Sequence, residues 1–147
     1  MSEITTSVQI VLPQHCNGYR RPRLFGGQIM AWIDIVGAVA ARRYAQCGVT
    51  TVCVDNLNFL SAAYLNDTIV QEAVVTWTGN TSLEVRVDSF VERLDGGREL
   101  VNRAYLVFVA LDDEDRPAPV PPFTPQTDAE RREYEAALRR REIRMGR

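Results

Sequence analysis

The chain has 147 residues, of which 46% are hydrophobic and 24% are charged, and its formal net charge at pH 7 is −2. This length and usage are those of one globular domain and exclude a disordered or fibrous protein. The net negative charge argues against nucleic acid as the main partner, and three cysteines without a Cys-x-x-Cys or Cys/His pattern argue against a disulfide framework or a metal site.

The first third of the chain contains one short strand, one loop and one long helix. The segment SVQIVLP favours a strand that ends at Pro13, and residues 14–24 form a polar loop with a glycine, a proline and three arginines. The run FGGQIMAWIDIVGAVAA then predicts an apolar helix over about residues 27–46, for which Gly48 is an available stop.

Four strand-like runs follow the helix: TTVCVDNLNFL, DTIVQEAVVTWT, SLEVRVDSFVERL and ELVNRAYLVFVAL. Apolar and polar residues alternate in much of each run, as Leu83, Val85 and Val87 do with the residues between them. This alternation predicts a sheet with one covered face. The turn-rich segments TGNTS and LDGGRE join the last three runs, which predicts an antiparallel meander.

The C-terminal part of the chain, residues 126–147, is a helical tail after the proline-rich segment DDEDRPAPVPPFTPQ. Thr127 and Glu130 have the spacing of a capping box, in which both side chains accept hydrogen bonds from backbone N–H groups at the helix start. The rest of the helix has few apolar residues and several opposite charges at i, i+4 spacing. We therefore expect a solvated helix that docks lightly.

Together these elements predict an α+β fold in one domain over residues 1–147. A helix as apolar as this one must be wrapped, and a curved five-stranded antiparallel sheet is wide enough to do so. The edge strands of such a sheet stay open, and pairing edge to edge in a dimer is a common way to close them.

Asp34 is unusual because it interrupts the apolar helix. Aspartate is a poor helix former, and burying its charge unpaired would cost several kcal/mol. One interpretation is that it pairs with an arginine or reaches solvent. The other is that small neighbours on its face, Gly37, Ala38 and Ala41, leave room beside Met30 for a substrate next to a general base.

Two glycines, Gly26 and Gly27, precede Asp34 by about two helical turns and favour the second interpretation. Glycines at a helix start expose backbone amides where the helix dipole stabilises developing negative charge. An amide donor and a base at this separation suit attack on a carbonyl group. Both glycines can also serve close backbone packing at the loop-to-helix corner.

The N-terminus and the apolar stretch give no targeting or membrane signal. The first residues lack the basic start and apolar block of a signal peptide, and Asp34, Arg42 and Arg43 interrupt the apolar stretch before it could span a bilayer. We predict a cytoplasmic protein without membrane contact. The single histidine, His15, has no matching ligand set nearby, so it is interpreted as a loop or packing residue.

Four segments in order along the chain resemble one known family: LFGGQIMAWIDIVGAVAARR, TTVCVDNLNFLSAAYLND, TGNTSLEVRV and FVALDDEDRPAPVPPFTPQTDAERREYEAALRRR. They are similar to the acyl-CoA thioesterases of the hot-dog fold, in the branch of cytosolic acyl-CoA hydrolases and their small bacterial relatives. The resemblance implies a curved antiparallel sheet around one central helix. It also implies homodimers with active sites at the subunit interface, often assembled into hexamers.

The resemblance also implies catalytic roles. In that family the helix carboxylate, here Asp34, activates water or attacks the thioester itself. The amide after the glycines at the helix start polarises the thioester carbonyl, which places Phe25, Gly26 and Gly27 at the site.

Further site residues are implied by the same resemblance. An asparagine from the partner subunit's loop helps to place the reacting groups, and its best match is Asn17. Hydroxyls of a turn, here Thr81 and Ser82, line the site. Arginines near the C-terminus, Arg139 and Arg140, are expected to meet the phosphates of coenzyme A, since a planar guanidinium suits bidentate contact.

The loop before the helix departs from the family pattern. Asn17 stands about two positions too far upstream, and Tyr19 occupies the equivalent position if the loop is counted back from the helix start. The loop also carries Arg20, Arg21 and Arg23, which are either solvated charges or contacts to phosphate.

The sequence thus predicts an acyl-CoA thioesterase that releases a free carboxylic acid and coenzyme A without a metal or other cofactor. The main alternative is a hot-dog protein that binds acyl-CoA without hydrolysing it, in a regulatory role. A hot-dog dehydratase is a second alternative, but His15 lies in a loop and not beside a helix carboxylate. The arginine-rich tail as a nucleic-acid arm ranks last, because acidic residues interleave with its arginines.

Overall fold

The computed structural model describes residues 3–18 and 20–146. In chain order the elements are β1 (Thr5–Ile10), β2 (Cys16–Asn17), β3 (Arg23–Leu24), α1 (Gly26–Ala45), β4 (Gly48–Phe59), β5 (Thr68–Thr78), β6 (Ser82–Glu92), β7 (Arg98–Leu111) and α2 (Asp128–Arg144). Neither helix in this part of the chain has the length and apolar character needed to cross a bilayer. The cytoplasmic location stays a prediction.

Five of the strands form one antiparallel sheet in the order β1-β5-β6-β7-β4. Strands β5, β6 and β7 make the predicted meander, and β1 and β4 are the two edges of the sheet. The short strands β2 and β3 form a separate hairpin between β1 and α1. The predicted α+β architecture with a five-stranded sheet is confirmed.

Helix α1 is wrapped by the sheet and contacts all five of its strands. Its apolar face, including Ile29, Ile33 and Val36, packs in one core with inward-facing side chains of the central strands. The helix lies close to the sheet at Gly37, where an added Cβ would lie 3.3 Å from the Phe108 ring and 3.4 Å from Val87. Only a residue without a side chain fits there unless its neighbours move.

Helix α1 ends at Ala45, three residues before the glycine stop that the sequence offers. Gln46 caps it in the left-handed region with φ of 60°, and its side-chain amide donates to the Arg43 carbonyl at 2.6 Å. This local hydrogen bond holds Gln46 in a conformation that usually favours glycine. Gly48 instead begins β4.

Helix α2 begins as predicted, with one additional hydrogen bond in its capping. The Thr127 hydroxyl accepts a hydrogen bond from the Glu130 N–H at 3.1 Å, as in a capping box. The Glu130 carboxylate also accepts from the N–H of Gln126, one residue before the cap, at 2.8 Å. Both bonds still satisfy backbone groups at the helix start.

The prediction that only one face of the sheet is covered is wrong, because α2 lies on the outer face and buries charged side chains there. Glu84 and Asp88 point away from α1, yet they are only 0% and 6% exposed. Arg140 on α2 donates to both Glu84 carboxylate oxygens, at 2.8 and 3.0 Å, and the Thr76 hydroxyl donates to one of them at 2.6 Å. The docking of α2 is therefore ionic, which apolar periodicity does not reveal.

A second group of partners extends this contact towards β7. Arg86 on β6 pairs with Glu133 on α2 at 2.9 Å. Burial and the hydrogen bond to Glu133 raise the pKa of Tyr105 to about 12. Burial alone would raise the pKa of Glu133, but the Tyr105 hydroxyl and the Arg86 guanidinium hold it below its ordinary value. The stabilisation from Glu133 is thus present at neutral pH and is lost as the pH falls through that lowered pKa.

We expect Glu84→Gln to lower the free energy of unfolding by about 2–4 kcal/mol, because it leaves the largely buried Arg140 charge with only the longer contact to Glu133. The double variant Glu84→Met/Arg140→Met removes both charges and should lose less than the sum of the two single changes. Urea unfolding of Glu84→Met, Arg140→Met, the double variant, Glu84→Gln and the parent protein measures this. Strictly additive losses would show that the two residues do not act as a pair.

Candidate functional site

Asp34 lies in the middle of α1, half-buried, on the side of the helix that faces the edge strand β4. The Thr51 hydroxyl on β4 donates a hydrogen bond to Asp34 Oδ1 at 2.6 Å. Within the described residues Asp34 makes no ion pair, and Oδ2 accepts no hydrogen bond. One carboxylate oxygen is therefore held in place, and the other can act on a ligand.

The small residues around Asp34 serve a purpose other than the predicted one. Gly37 and Ala41 are buried against the sheet, where Gly37 allows its close approach to Phe108. They do not line an open space beside the carboxylate. Met30, which is 45% exposed, lies one turn before Asp34 and stays accessible.

The start of α1 offers free backbone donors. Phe25 is the N-cap residue, has no side-chain capping bond, and accepts from the N–H groups of Gln28 and Ile29 through its carbonyl. The N–H groups of Gly26 and Gly27 make no hydrogen bond within the described residues. The first N–H groups of a helix carry the positive end of its dipole, so this end can receive a partly negative oxygen.

Close packing also favours a glycine at Gly27, but it does not require one at Gly26. An added Cβ on Gly27 would lie 2.6 Å from the Phe25 ring, and one on Gly26 would lie 3.7 Å from the Phe59 ring. A larger residue at Gly27 would displace Phe25 from the helix start.

A cavity of about 400 Å³ opens beside the start of α1. Its mostly apolar lining comes from the helix start, the end of β4 and the segment that follows β4, with Arg23 at its polar side. Gly26 lines the cavity, and Asp34 stands eight residues further along the helix, about 12 Å at 1.5 Å per residue. The cavity and the carboxylate are therefore both bordered by α1 and β4, at different positions along the helix.

The loop residues are placed away from Asp34 within one protomer. Asn17 is exposed and pairs with Arg23 in the hairpin of β2 and β3. Tyr19, the competing match for the family asparagine, lies outside the described residues. The interpretation of His15 as a packing residue agrees with its contacts: Nδ1 accepts from the Leu12 N–H at 3.0 Å, and the ring meets Trp32 edge-on at 4.9 Å.

The turn between β5 and β6 does not come next to Asp34 in one protomer either. Leu83 faces α1, so the side chain of Ser82 lies on the opposite face of the sheet. The Thr81 carbonyl accepts from the Ala110 N–H at 2.9 Å. A site role for these two hydroxyls requires a neighbouring subunit, and it stays a prediction.

The two C-terminal arginines differ in their surroundings. Arg140 is bonded to Glu84 and Glu133 and stacks over the Tyr105 ring at 3.6 Å. Its guanidinium therefore already binds groups within the protein. Arg139 is exposed on α2. A phosphate contact stays a prediction for both, and the geometry favours Arg139 over Arg140.

The described residues also bear on other chemistries. They contain no group of three or more histidine, cysteine, aspartate or glutamate side chains placed to hold a metal ion. Cys53 lies on β4, and burial together with the negative charge of Asp55 raises the pKa of its thiol. A thiol with a raised pKa is a weak nucleophile at neutral pH.

Sequence reasoning missed Thr51, the residue that contacts Asp34. The two stand 17 positions apart on different elements, and their pairing depends on how β4 lies beside α1. Nothing in the strand pattern distinguishes Thr51 from Thr50 next to it. Only the alternation of side chains, once the register of β4 is known, places one of the two towards the helix.

Comparison with known proteins gives a consistent result. The family model of the thioesterase superfamily matches residues 22–95. The uncharacterized acyl-CoA thioester hydrolase YkhA of Bacillus subtilis is 36% identical over 93% of this chain and 79% of its own. The crystal structure of an apo-hexameric acyl-CoA thioesterase aligns with a TM-score of 0.90 and 38% identity, over 97% of this chain and 91% of that one.

A further similar structure is that of an acyl-CoA hydrolase from Staphylococcus aureus in complex with butyryl coenzyme A, coenzyme A and coenzyme A disulfide. It aligns with a TM-score of 0.89 and 33% identity, over 97% of this chain and 87% of that one. Structures of the same hydrolase with an asparagine, an aspartate or a threonine replaced by alanine align as well. Because its curved sheet surrounds one helix and these relatives match most of its length, the chain belongs to the hot-dog acyl-CoA thioesterases of the thioesterase superfamily.

Proposed function

We propose that this protein hydrolyses acyl-CoA thioesters to a carboxylic acid and coenzyme A, with Asp34 as the acting carboxylate. The observation that carries the proposal is the placement of Asp34. It is held by the Thr51 hydroxyl at 2.6 Å, keeps one free oxygen, and lies on the helix whose N-terminal amides are unpaired. A carboxylate and an amide donor are the two groups that attack on a thioester needs.

Two routes use this geometry. In the first, Asp34 takes a proton from water as the water oxygen attacks the carbonyl carbon. A helix-start N–H, that of Gly27 from a second copy of the chain, stabilises the negative charge on the carbonyl oxygen, because Gly27 and Asp34 of one copy stand about 10 Å apart along α1. The C–S bond breaks, and the proton passes to the leaving thiolate. In the second, the carboxylate attacks the carbonyl carbon and expels the thiolate, and water then cleaves the mixed anhydride.

The Staphylococcus aureus hydrolase supports these assignments. The aspartate and threonine replaced in its variants stand 17 positions apart, the same spacing as Asp34 and Thr51. Counted on the same spacing, its replaced asparagine corresponds to Tyr19 and not to Asn17. Tyr19 would then stand where the relative has this asparagine. The loop therefore differs from that relative at the position for which the resemblance implies a role in the partner subunit's site.

We expect Asp34→Asn to lower kcat by about 10²–10⁴-fold, the usual contribution of a positioned acid or base, with little effect on folding. Thiol release from acyl-CoA substrates of several chain lengths measures this. Asp113→Asn, in an exposed turn, is the matched control and should keep full activity. Full turnover by Asp34→Asn would refute the assignment. Wild-type protein that binds acyl-CoA but releases no thiol would instead establish the binding-protein alternative.

Thr51 is proposed as a positioning residue for Asp34. Thr51→Val has the same shape but lacks the hydroxyl, and we expect it to lower kcat by about tenfold or more with little change in KM, as a lost charge-assisted hydrogen bond would. Thr51→Ser restores the donor and should recover most of kcat. Equal kcat values for the Val and Ser variants would show that the hydroxyl does not act through Asp34.

We also propose that two copies pair through β4. This edge strand exposes Val52, Val54 and Phe59 at 54%, 45% and 52%, and Leu60 just beyond it at 63%. An open apolar edge is usually covered, and continuation of the sheet in a second copy covers it with backbone hydrogen bonds. Because Thr51 lies on β4, such a dimer brings the partner's loop to the catalytic carboxylate. Assembly of dimers into hexamers is supported by the hexameric relative.

We expect Val54→Asp to produce monomers and to lose activity together with assembly, since a charge at the new interface would be buried unpaired. Light scattering coupled to size-exclusion chromatography measures the oligomer, and thiol release measures the activity. Val8→Asp on the opposite edge strand, where Val8 is 61% exposed, is the matched control and should keep the dimer. A fully active Val54→Asp monomer would refute an interface site.

A further inference from the structure

The loop between β2 and α1 carries three arginine side chains that the mechanism does not use. Arg20, Arg21 and Arg23 are all exposed. Within the described residues none of the three makes an ion pair or a side-chain hydrogen bond. In most other places on the molecule, by contrast, the arginines pair with carboxylates, as Arg86, Arg103 and others do.

Two of these guanidinium groups are gathered around one aromatic ring. The Arg21 guanidinium stacks over the Tyr64 ring at 3.4 Å from its centroid, and that of Arg23 lies at 5.8 Å from the same centroid. A cation over an aromatic face is attracted by the ring quadrupole, which offsets part of the repulsion between two like charges. The ring thus holds two positive charges close together without an acidic partner.

The backbone fixes this arrangement to the body of the protein. Arg23 and Tyr64 form a β-bridge, the Leu24 N–H donates to the Ala63 carbonyl at 2.8 Å, and the Leu65 N–H donates to the Pro22 carbonyl at 3.1 Å. Among the described residues, the acidic side chain bonded to this segment is that of Asp67, which accepts from the Tyr64 backbone N–H at 2.8 Å. The guanidinium groups are therefore presented on a fixed support and stay unneutralised.

One of these arginines, Arg23, lines the cavity beside the start of α1, and Arg21 shares the Tyr64 ring with it. Gly26 lines the same cavity, and Asp34 lies further along the helix. An acyl-CoA with its thioester near Asp34 carries its nucleotide phosphates at the far end of a long flexible arm. The cavity offers that arm a mostly apolar surface, with the Arg23 guanidinium at its lining and that of Arg21 over the same aromatic ring.

We propose that Arg21 and Arg23, with Arg20 beside them, bind the phosphate groups of the coenzyme A nucleotide. This inference rests on the proposed function, since it assumes that acyl-CoA is the substrate. Guanidinium groups bind phosphate oxygens bidentately, and Arg21 and Arg23 can share one phosphate or contact two. Arg140, by comparison, is neutralised by Glu84 on the other face of the sheet.

The test compares substrates with and without phosphates. In the double variant Arg21→Gln/Arg23→Gln we expect KM for acyl-CoA to rise about tenfold or more, with kcat changed by less than about twofold, because the lost contacts are remote from the reacting bond. Turnover of the matching acyl-pantetheine thioester, which has no phosphate, should not change. Raising the salt concentration should increase KM for acyl-CoA more in the wild type than in the variant.

The control and the binding measurement separate this inference from the proposed function. Arg116→Gln/Arg131→Gln removes two exposed, paired charges elsewhere and should leave both substrates unaffected. Calorimetric titration with coenzyme A and with 3′,5′-adenosine diphosphate measures the affinity of the site without hydrolysis. The Arg21→Gln/Arg23→Gln variant should bind both compounds at least about tenfold more weakly. If no thiol is released by the wild type, this titration alone decides the inference.

Two results would overturn the phosphate site. Unchanged KM and affinity in the loop variant would show that the arginines are solvated charges. An equal loss on acyl-CoA and acyl-pantetheine would show that they support the loop structure and do not recognise phosphate. A comparison of dephospho-coenzyme A with coenzyme A then assigns the contact to the 3′-phosphate or to the pyrophosphate.

Discussion

The close approach of α1 to the sheet is the constraint on which the rest of the structure depends. At Gly37 the helix backbone meets Phe108 and Val87 with no space for a Cβ, so the sheet can curve tightly and contact the helix with all five strands. The helix cannot shift or rotate at this point without a clash. Its orientation therefore fixes which residues turn to the core and which turn to the edge. Asp34 falls at the edge, next to β4, where a carboxylate can find both a donor and a ligand.

The two faces of the sheet are stabilised by different forces. The inner face buries apolar side chains against α1, whereas the outer face buries carboxylates that α2 neutralises with Arg140 and Arg144. Ion pairs at a buried contact add little net stability, but losing one partner is costly. The inner contact therefore supplies most of the stability, and the outer contact mainly determines where α2 docks. This division explains how a helix with almost no apolar stripe keeps a defined position.

The sequence predicts the helices and strands and the candidate carboxylate, because periodicity and helix propensity are local properties. It does not predict features that depend on contacts between distant segments. Thr51 meets Asp34 only through the register of β4, and Glu84 is buried only because α2 returns to the outer face. The polar side chains Gln71 and Ser89, both 0% exposed, form a hydrogen bond across two strands on the inner face, which the alternation pattern does not indicate. The subunit contacts predicted for Asn17 and Ser82 would depend on a second copy of the chain.

The distribution of positive charge shows why counting arginines along the sequence misleads. Seven of the 17 basic residues lie in the last 17 positions, which singles out the C-terminal tail as the phosphate contact. In the fold, Arg131, Arg140 and Arg144 of that tail pair with carboxylates, whereas the other described arginines of the tail make no ion pair. None of the described tail arginines lines the cavity beside α1, but Arg23 of the shorter group does, and it has no acidic partner within the described residues. Because the attraction of a phosphate depends on charge that is not neutralised and that lies near the substrate, the smaller cluster is the stronger candidate for the substrate's anionic end.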